Sequence, residues 1–279
     1  APSIDIKYTF LKKLSYGIRR TRRLNLIRKT AFSTVEGYYQ PKASSRHYLN
    51  YQVNQNITVG LSENSIWSMG ETVTKRPNGF YYAPIPFLGL TQSRNHTIYG
   101  FDASEVVGKK SRFYQQFVLS GFDLAQMGFQ LGVRFYDLLP NSMLQFEYNK
   151  VGGELYTAET PNMSYTHYNL PMAHPKGQGF NELVIRANVS IKRVYGESKT
   201  VCYWLKNYNE RDLLPMDDES PSIEDLIIHQ QFELGYRINP KINFCLFGRA
   251  VLRISDIDPT QMLIHIGLST NLFNNYNDY

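Results

Sequence analysis

Aromatic, imidazole and amide side chains are concentrated between residues 165 and 182, in the stretch YTHYNLPMAHPKGQGFNE. A rigid proline and two conformationally permissive glycines within it are typical of a defined turn. Aromatic faces suit sugar rings, and imidazole and amide groups form hydrogen bonds with hydroxyl groups. We therefore expect a glycan contact in this loop, with the candidate residues Tyr165, His167, Tyr168, His174, Pro175, Gly177, Gly179, Phe180 and Glu182.

A basic segment from Lys12 to Lys29 contains eight Lys and Arg residues and no acid. Guanidinium groups bind phosphates through paired hydrogen bonds. Phosphate groups or other anions are therefore candidate ligands for Arg19, Arg20, Arg22 and Arg23. Three other interpretations stay open: a periplasmic lid, a strand whose arginines line a lumen, and a solvated charged surface. Nucleic-acid binding is not expected, because aromatic residues are not interleaved with these arginines.

Catalytic and metal-binding motifs do not occur in the sequence. It contains no P-loop, GxSxG, HExxH or GxGxxG, and its six histidines lack helical metal spacing. Residues 207–226 hold seven acids without the regular spacing of a calcium loop, so a hydrated loop is preferred to a metal site. Cys202 and Cys245 also lack metal spacing, and we expect two free thiols. A disulfide between the two cysteines, and a Ser/His/Asp set or Asp/His pair brought together only by the fold, stay open as alternatives. The sequence predicts a non-enzymatic protein without a cofactor or metal.

The elements that must position these residues are long amphipathic strands. In residues 261–273, for example, Met262, Ile264 and Ile266 alternate with polar or small residues such as His265. Such alternation predicts strands in residues 125–137, 181–194, 227–239, 243–255 and 261–273. Weaker candidates are residues 30–39, 46–53, 55–63, 96–103, 112–120, 142–152 and 200–206, and 4–10 and 15–27 are two further ones.

Strand length and loop length together favour a transmembrane barrel over a soluble sandwich. Soluble strands usually have about five to six residues, whereas tilted membrane strands have about nine to eleven. We expect tight turns at 54, 138–141, 195–199 and 240–242, and long loops at 64–95, 153–180 and 207–226. The composition, with 21 Tyr, 16 Phe and only 2 Trp in 279 residues, also suits the aromatic girdles of such barrels. No run of about 20 apolar residues predicts a membrane-spanning helix.

We therefore expect an all-β protein with a single antiparallel outer-membrane β-barrel domain of 12 to 14 strands or more and long extracellular loops. The domain covers residues 1–279, with a basic segment or the first strands in 1–29 and the barrel in 30–273. The barrel interior is polar in this architecture. Arg186, Arg237, Arg249 and Arg253 are the predicted lumen-facing charges, and they make an anion-favouring channel an alternative function.

The net charge of +6 conceals a strong segregation of charge along the chain. The basic segment carries +8, whereas residues 207–226 carry −6. A uniformly basic nucleic-acid binder does not usually carry so acidic a loop.

In a barrel, long loops commonly fold inward and need polar anchors. Tyr168 and His174 therefore have a second interpretation, in which they only pin the loop across the barrel mouth.

The loop resembles the Y-x-H-Y-x-Q-P-L-A-H-P-x-G-x-x-F-x-E stretch of the Wzi-type capsule-assembly and gliding-motility barrels of Bacteroidota, with Leu170 and Met172 as departures. Upstream, YLNYQVNQNITVGLSENSIW is similar to paired strands of that family that end in GLFE..IW. Residues 113–148 are similar to its YGQF…LGFKYFD…LNLQ.EYN region. The resemblance covers most of residues 48–182.

The resemblance implies an integral protein of the bacterial outer membrane. It also implies that the protein serves surface-polysaccharide attachment or assembly, or a gliding-motility or secretion apparatus. Its partners would be outer-membrane lipid and lipopolysaccharide, a surface polysaccharide, and other envelope or secretion-system proteins. A structural accessory subunit of a larger outer-membrane complex is a further alternative.

Overall fold

Antiparallel β-strands make up most of the described chain in the computed structural model. Residues 2–10, 12–28, 37–69, 85–86, 96–208 and 223–270 are described. The strands are β1 Ser3–Phe10, β2 Leu14–Arg28, β3 Gly37–Gln52, β4 Ile57–Ser68, β5 His96–Val107, β6 Ser111–Leu119, β7 Met127–Tyr136, β8 Ser142–Val151, β9 Thr166–His167, β10 Leu170–Pro171, β11 Phe180–Ile191, β12 Val194–Tyr208, β13 Ile223–Asn239, β14 Phe244–Ser255 and β15 Gln261–Ser269. Three-residue 3-10 helices lie at Leu124–Gln126, Pro161–Met163 and Pro240–Ile242.

Thirteen strands form one sheet in which each strand pairs with its neighbours in sequence, and the short β9 and β10 form a separate hairpin. The order is β1 to β8 and then β11 to β15, so β8 pairs directly with β11. β1 and β15 are the edges of this sheet in the described part of the chain. No helix among the described residues is long and apolar enough to span a bilayer.

One face of the sheet, which we call the outer face, exposes large apolar side chains along whole strands. On β15, Ile264 is 69% exposed and Ile266 is 81% exposed. On β13, Phe232 is 57% exposed and Leu234 is 65% exposed. Glu233 lies between them in the sequence and points to the opposite face of the strand. Water-soluble proteins rarely expose continuous apolar bands of this kind, whereas lipid stabilises them.

The opposite, inner face carries the ion pairs and a polar network centred on Glu147, whereas Tyr16, Arg20, Ser45 and His47 form a smaller buried polar network on the outer face. Glu147 accepts hydrogen bonds from Gln130 Nε2 at 2.9 Å, from Gln145 Nε2 at 3.0 Å and from Asn149 Nδ2 at 2.9 Å. Tyr114 also donates its hydroxyl proton to this carboxylate. Because each of these groups is paired, the polar face is stable without exposure to bulk water.

Connections of two to five residues alternate along the chain with longer ones, except that the last connection, residues 256–260 between β14 and β15, is also only five residues long. The short connections follow β1, β3, β5, β7, β11 and β13, and they lie at one end of the sheet, which we call the short-connection end. The other connections, including residues 152–179, lie at the long-connection end. This alternation is the one expected from the sequence, and it is typical of bacterial outer-membrane barrels.

Several predicted boundaries were wrong. β4 and β5 run to Ser68 and Val107, past the predicted strand ends at residues 63 and 103, so that residues 64–68 are not part of the predicted loop. Three further differences concern β3, the β11–β12 turn and β13.

First, residues 37–52 form one strand, although a break was expected between residues 39 and 46. The carbonyl of Pro41 accepts a hydrogen bond from Met69 N at 3.2 Å. The nitrogen of Pro41, which has no proton to donate, therefore faces the end of β4, where the pairing between β3 and β4 stops. Pro41 is tolerated there because no further hydrogen bond of the sheet is lost. Second, the turn between β11 and β12 is Lys192–Arg193 rather than 195–199, since Lys192 adopts φ 54° and Tyr195 already pairs with Ser190.

The third difference concerns the acidic stretch. β13 begins at Ile223, four residues before the predicted start, so that Asp225 belongs to a strand. Its carboxylate accepts hydrogen bonds from Ser255 Oγ at 3.0 Å and from Asp256 N at 3.1 Å. Asp225 therefore stabilises the connection after β14. The remaining acids at 210, 212 and 217–219, and the predicted strand residues 30–36 and 271–273, lie outside the described residues.

Candidate functional site

The loop predicted to carry the glycan contact lies between β8 and β11, at the long-connection end. Within it, β9 and β10 pair through His167–Leu170 and Thr166–Pro171. Tyr168 and Asn169 form the reversal between them and adopt left-handed backbone angles, with φ 51° and 61°. This tight hairpin directs residues 167–169 towards β2, which lies more than 140 positions earlier in the sequence.

The hairpin tip continues the sheet at the free edge of β2. β1 pairs with β2 only as far as Thr21, which leaves the backbone groups of Leu24 and Leu26 beyond the end of β1. Tyr168 N donates to Leu24 O at 2.7 Å, and Leu24 N donates to Nδ1 of His167 at 3.3 Å. The amide of Asn169 accepts from Leu26 N at 2.9 Å and donates to Leu26 O at 2.8 Å. The loop therefore satisfies backbone groups that would otherwise remain an open edge.

A buried lysine on β3 anchors the middle of the loop. Lys42 has no solvent exposure, and its Nζ donates to Ser164 O at 2.7 Å and to Thr166 Oγ1 at 2.9 Å. On β4, Asn64 Nδ2 donates to the hydroxyl of Tyr165 at 2.7 Å. A buried ammonium group is stable only when its protons are bound by acceptors. The lysine and the loop thus depend on one another.

His174 anchors the far end of the loop. Its Nε2 lies 3.4 Å from Oε1 of Glu182, and its ring centroid lies 4.5 Å from that of Phe180. Lys176 N donates to its Nδ1 at 3.1 Å, in the turn that also contains Pro175. Gly177 and Gly179 adopt φ 76° and 73°, a region that side-chain-bearing residues rarely adopt. His174, Phe180 and Glu182 therefore form an internal contact that shapes the turn.

Tyr168 differs from these anchors because its ring faces solvent. It is 50% exposed, and its ring packs edge-to-face against that of Tyr39, which is 58% exposed, with centroids 5.7 Å apart. The ring of His167 lies 4.3 Å from that of Tyr168. We call Tyr39, His167 and Tyr168 the aromatic rim. The sequence singled out the last two, whereas nothing in the sequence linked Tyr39 to the loop.

Burial shifts the pKa of two loop residues. It lowers the pKa of His167, so that its imidazole is neutral at pH 7 and Nδ1 can accept the hydrogen bond from Leu24. Burial also raises the pKa of Tyr156 to about 12. Tyr156 stacks on Tyr165, with centroids 5.6 Å apart. Both residues therefore hold the loop as uncharged groups.

The four arginines proposed as anion contacts belong to β2 and are divided between its two faces. Arg19 forms an ion pair with Asp5, and Arg23 Nε donates to Ser44 Oγ at 2.9 Å, both on the inner face. Arg20 contacts Ser45 and His47 on the outer face. Arg22 follows the alternation to the outer face and is exposed. The structure therefore does not bring the four together into one site.

The four other predicted arginines lie on the inner face and have partners. Arg186 Nε donates to Glu197 Oε1 at 3.0 Å, and Arg249 Nε donates to Glu233 Oε2 at 2.7 Å. Two further contacts, each measured to the nearest oxygen, join Arg237 to Ser190 at 2.6 Å and Arg253 to Asp258 at 2.7 Å.

Neither a metal centre nor a disulfide is formed by the residues described. No group of three or more His, Cys, Asp or Glu side chains in this part of the chain is arranged to hold a metal ion. Cys202 and Cys245 are both free thiols.

Comparison with known proteins gives structural matches alone. No protein-family model matches the chain, and no curated protein sequence matches it. Among solved structures, the chain is similar to Wzi of Escherichia coli, described as an outer membrane protein involved in group 1 capsule assembly and as a carbohydrate-binding β-barrel. That match has a TM-score of 0.60 and 12% identity, and it covers 90% of this chain and 54% of Wzi. The chain has the fold of an outer-membrane β-barrel.

A second structure, a double mutant of OccD1 (OprD), matches with a TM-score of 0.47 and 11% identity over 96% of this chain and 68% of that one. The similarity to Wzi agrees with the resemblance inferred from the loop at the level of the fold. The chain spans about half the length of Wzi. Membership of a Bacteroidota family remains a prediction.

Proposed function

We propose that this chain is a non-enzymatic protein of the bacterial outer membrane that binds a surface polysaccharide at its aromatic rim. The observation that carries the proposal is the exposed Tyr39–Tyr168 pair, held in place by the docked loop. Polysaccharides bind proteins through the faces of their sugar rings, and exposed, rigidly held aromatic rings are suited to that contact. That Wzi is described as carbohydrate-binding and as involved in capsule assembly supports the proposal.

The aromatic rim is held rigidly, and this supports a role for its exposed rings in ligand binding. Tyr168 is fixed through its own backbone N–H and through its neighbour Asn169, whose amide forms two hydrogen bonds with Leu26. A ring that is already ordered loses little conformational entropy when a ligand stacks on it. We therefore assign polysaccharide attachment or assembly to this protein in preference to a role in gliding motility or secretion.

Enzymatic activity is not proposed, although the chain contains a Ser–His pair. Ser45 Oγ lies 3.0 Å from Nε2 of His47, whose Nδ1 lies 2.6 Å from the hydroxyl of Tyr16. A nucleophile must reach its substrate. Ser45 is only 1% exposed, and Arg20 also contacts its hydroxyl, so that the arrangement suits a structural hydrogen-bond network.

An anion channel is the second candidate function, because the four predicted lumen arginines, Arg186, Arg237, Arg249 and Arg253, lie on the inner face. Two of them are joined to glutamates, Arg186 to Glu197 and Arg249 to Glu233, and Arg253 is joined to Asp258. Paired arginines attract a passing anion less than free ones, since the carboxylates cancel much of their potential. The geometry therefore favours the polysaccharide function.

The experiment that tests the proposed function is retention of polysaccharide by the purified full chain in detergent. A panel of purified bacterial capsular polysaccharides is passed over immobilised wild-type protein, Tyr168→Ala and Tyr51→Ala. Tyr51 is the matched control, an exposed tyrosine at the opposite end of the strand that carries Tyr39. We expect wild type and Tyr51→Ala to retain at least one polysaccharide and Tyr168→Ala to lose most of that retention. Equal retention by all three proteins, or none by wild type, contradicts the proposal.

A further inference from the structure

A polar cavity of about 400 Å³ lies below the loop, separate from the aromatic rim. Its wall is the inner face of β6, β7, β8, β11 and β12, and Tyr156, Ala173 and His174 of the loop also line it. Binding sites for small molecules commonly have volumes of about 300–1,000 Å³. The cavity is thus large enough for a sugar residue.

Several side-chain amides line the cavity, and hydrogen bonds hold three of them in fixed orientations. Gln130, Gln145 and Asn149 each use an amide N–H group on the single carboxylate of Glu147. The carbonyl oxygen at the other end of each amide is a hydrogen-bond acceptor. A wall of ordered amides offers acceptors to a ligand with many hydroxyl groups, whereas an apolar ligand would leave those polar groups without partners.

A row of cations crosses the cavity wall at one level. Arg134 is opposite Gln145, Gln145 is opposite Arg186, and Arg186 is opposite Lys199, on four consecutive strands of the sheet. All four residues line the cavity. The row therefore places three positive charges around one amide.

The carboxylates that line the cavity are already bound by other groups. Glu147 is bound by the amides described above and by Tyr114, and Glu182 is bound by His174 and by Asn149 Nδ2 at 2.6 Å. Arg186 is paired with Glu197, yet its side chain is 41% exposed and reaches solvent. The Nε atom of Arg134 is buried and has no hydrogen-bond partner. Arg186 already has Glu197, whereas Arg134 and Lys199 form no ion pair among the described residues, so a ligand carboxylate would balance those two charges.

Ring faces complete the site on the loop side. His174 and Phe180 lie against each other at the cavity wall, and Tyr156 also lines the cavity. We infer that this cavity binds one acidic sugar, a pyranose that carries a carboxylate, with the carboxylate at the Arg134–Arg186–Lys199 row and the hydroxyls on the amides. The inference rests on the proposed function, because it names the sugar class of the polysaccharide that reaches the barrel.

Isothermal titration calorimetry of this chain in detergent, with small sugars as ligands, tests the inference. The probes are methyl β-glucuronide, the neutral methyl β-glucoside and acetate. The variant is Lys199→Gln, and its matched control is Lys241→Gln, which removes the same charge from an exposed position in the β13–β14 connection. The mobility shift on heating in SDS checks that each variant folds.

We expect wild type to bind the glucuronide at least tenfold more tightly than either the glucoside or acetate. Lys199→Gln should reduce that preference to less than threefold, and Lys241→Gln should keep it. No glucuronide binding by wild type, equal binding of glucuronide and acetate, or an unchanged preference in Lys199→Gln overturns the inference. Retention of a polysaccharide without glucuronide binding would overturn this site alone, whereas glucuronide binding without retention of any polysaccharide would overturn the proposed function alone.

Discussion

The ring of Tyr114 occupies the space that a Cβ atom on Gly132 would need. The two residues are direct cross-strand partners, and an ideal Cβ at position 132 would lie 2.1 Å from Cζ of Tyr114. Tyr48 covers Gly17, and Tyr195 covers Gly235, in the same way. All three pairs lie on the inner face near the short-connection end, so they are packing elements of the barrel wall.

Gly132→Ala should destabilise the barrel. The added methyl group must displace the Tyr114 ring, which also donates to Glu147 and lies below Arg134. Overpacking of this kind costs about 1–3 kcal/mol. Urea unfolding in detergent micelles measures the effect. Gly248→Ala is the control, since a Cβ at that strand position would have no atom within 4 Å. An equal loss of stability in both variants would show that the packing against Tyr114 is not the cause.

Lys42→Met should release the loop and leave the barrel folded. The substitution removes the hydrogen bonds to Ser164 O and Thr166 Oγ1, and an intramolecular hydrogen bond contributes about 0.5–1.5 kcal/mol. We expect faster proteolysis within residues 153–179 and an unchanged mobility shift on heating in SDS. The Lys241→Met variant, which is changed at an exposed position, should be cleaved at the same rate as wild type. Slow cleavage of Lys42→Met would mean that the edge contacts with β2 suffice to hold the loop.

Acidification should loosen the hairpin tip. The folded protein lowers the pKa of His167 below the usual 6.5, so the unfolded loop binds protons more readily than the docked loop. This contribution to docking is present above about pH 6.5 and is lost as the pH falls through the lowered pKa. Hydrogen exchange at the amide of Tyr168, corrected for the intrinsic rate, should therefore show less protection at pH 5 than at pH 7.5.

His167→Gln provides the control for that pH dependence, because glutamine keeps an acceptor and does not titrate in this range. The protection of Tyr168 should then be the same at both pH values. A pH dependence that persists in His167→Gln would assign it to another group.

Conductance should be small while the loop is docked. The loop contacts inner residues of β2, β3 and β4, and it also lines the cavity formed by β6, β7, β8, β11 and β12. Replacing residues 155–178 by a short Gly-Ser linker should raise single-channel conductance in planar bilayers severalfold. A large conductance of the wild-type protein, similar to that of the variant without the loop, would favour the channel function instead.

Much of the fold was predictable because strand alternation is a local property. Residues 125–137 and 181–191, for instance, show which side chains share a face without any knowledge of their neighbours. The continuity of β3 was not predictable, since Pro41 normally interrupts a strand. Its tolerance depends on where β4 ends, which is information from another segment.

The site was predictable only in part for a similar reason. The loop motif identified His174 and Tyr168, but the sequence could not separate an internal anchor from an exposed ring. That distinction depends on contacts such as Tyr168 with Leu24, about 140 positions apart. The cavity escaped sequence analysis because its residues come from five strands, and their alignment requires the register of each pair.

We expect Tyr39 and Tyr168 to bind polysaccharide together, as one platform. The direct measurement is a double-mutant cycle, with the affinity of the retained polysaccharide determined for wild type, Tyr39→Ala, Tyr168→Ala and the double variant. Each single substitution should weaken binding by about 1–2 kcal/mol, roughly 5- to 30-fold, and the double variant should be little weaker than either. Losses that add fully, or affinities unchanged by either substitution, would contradict the account.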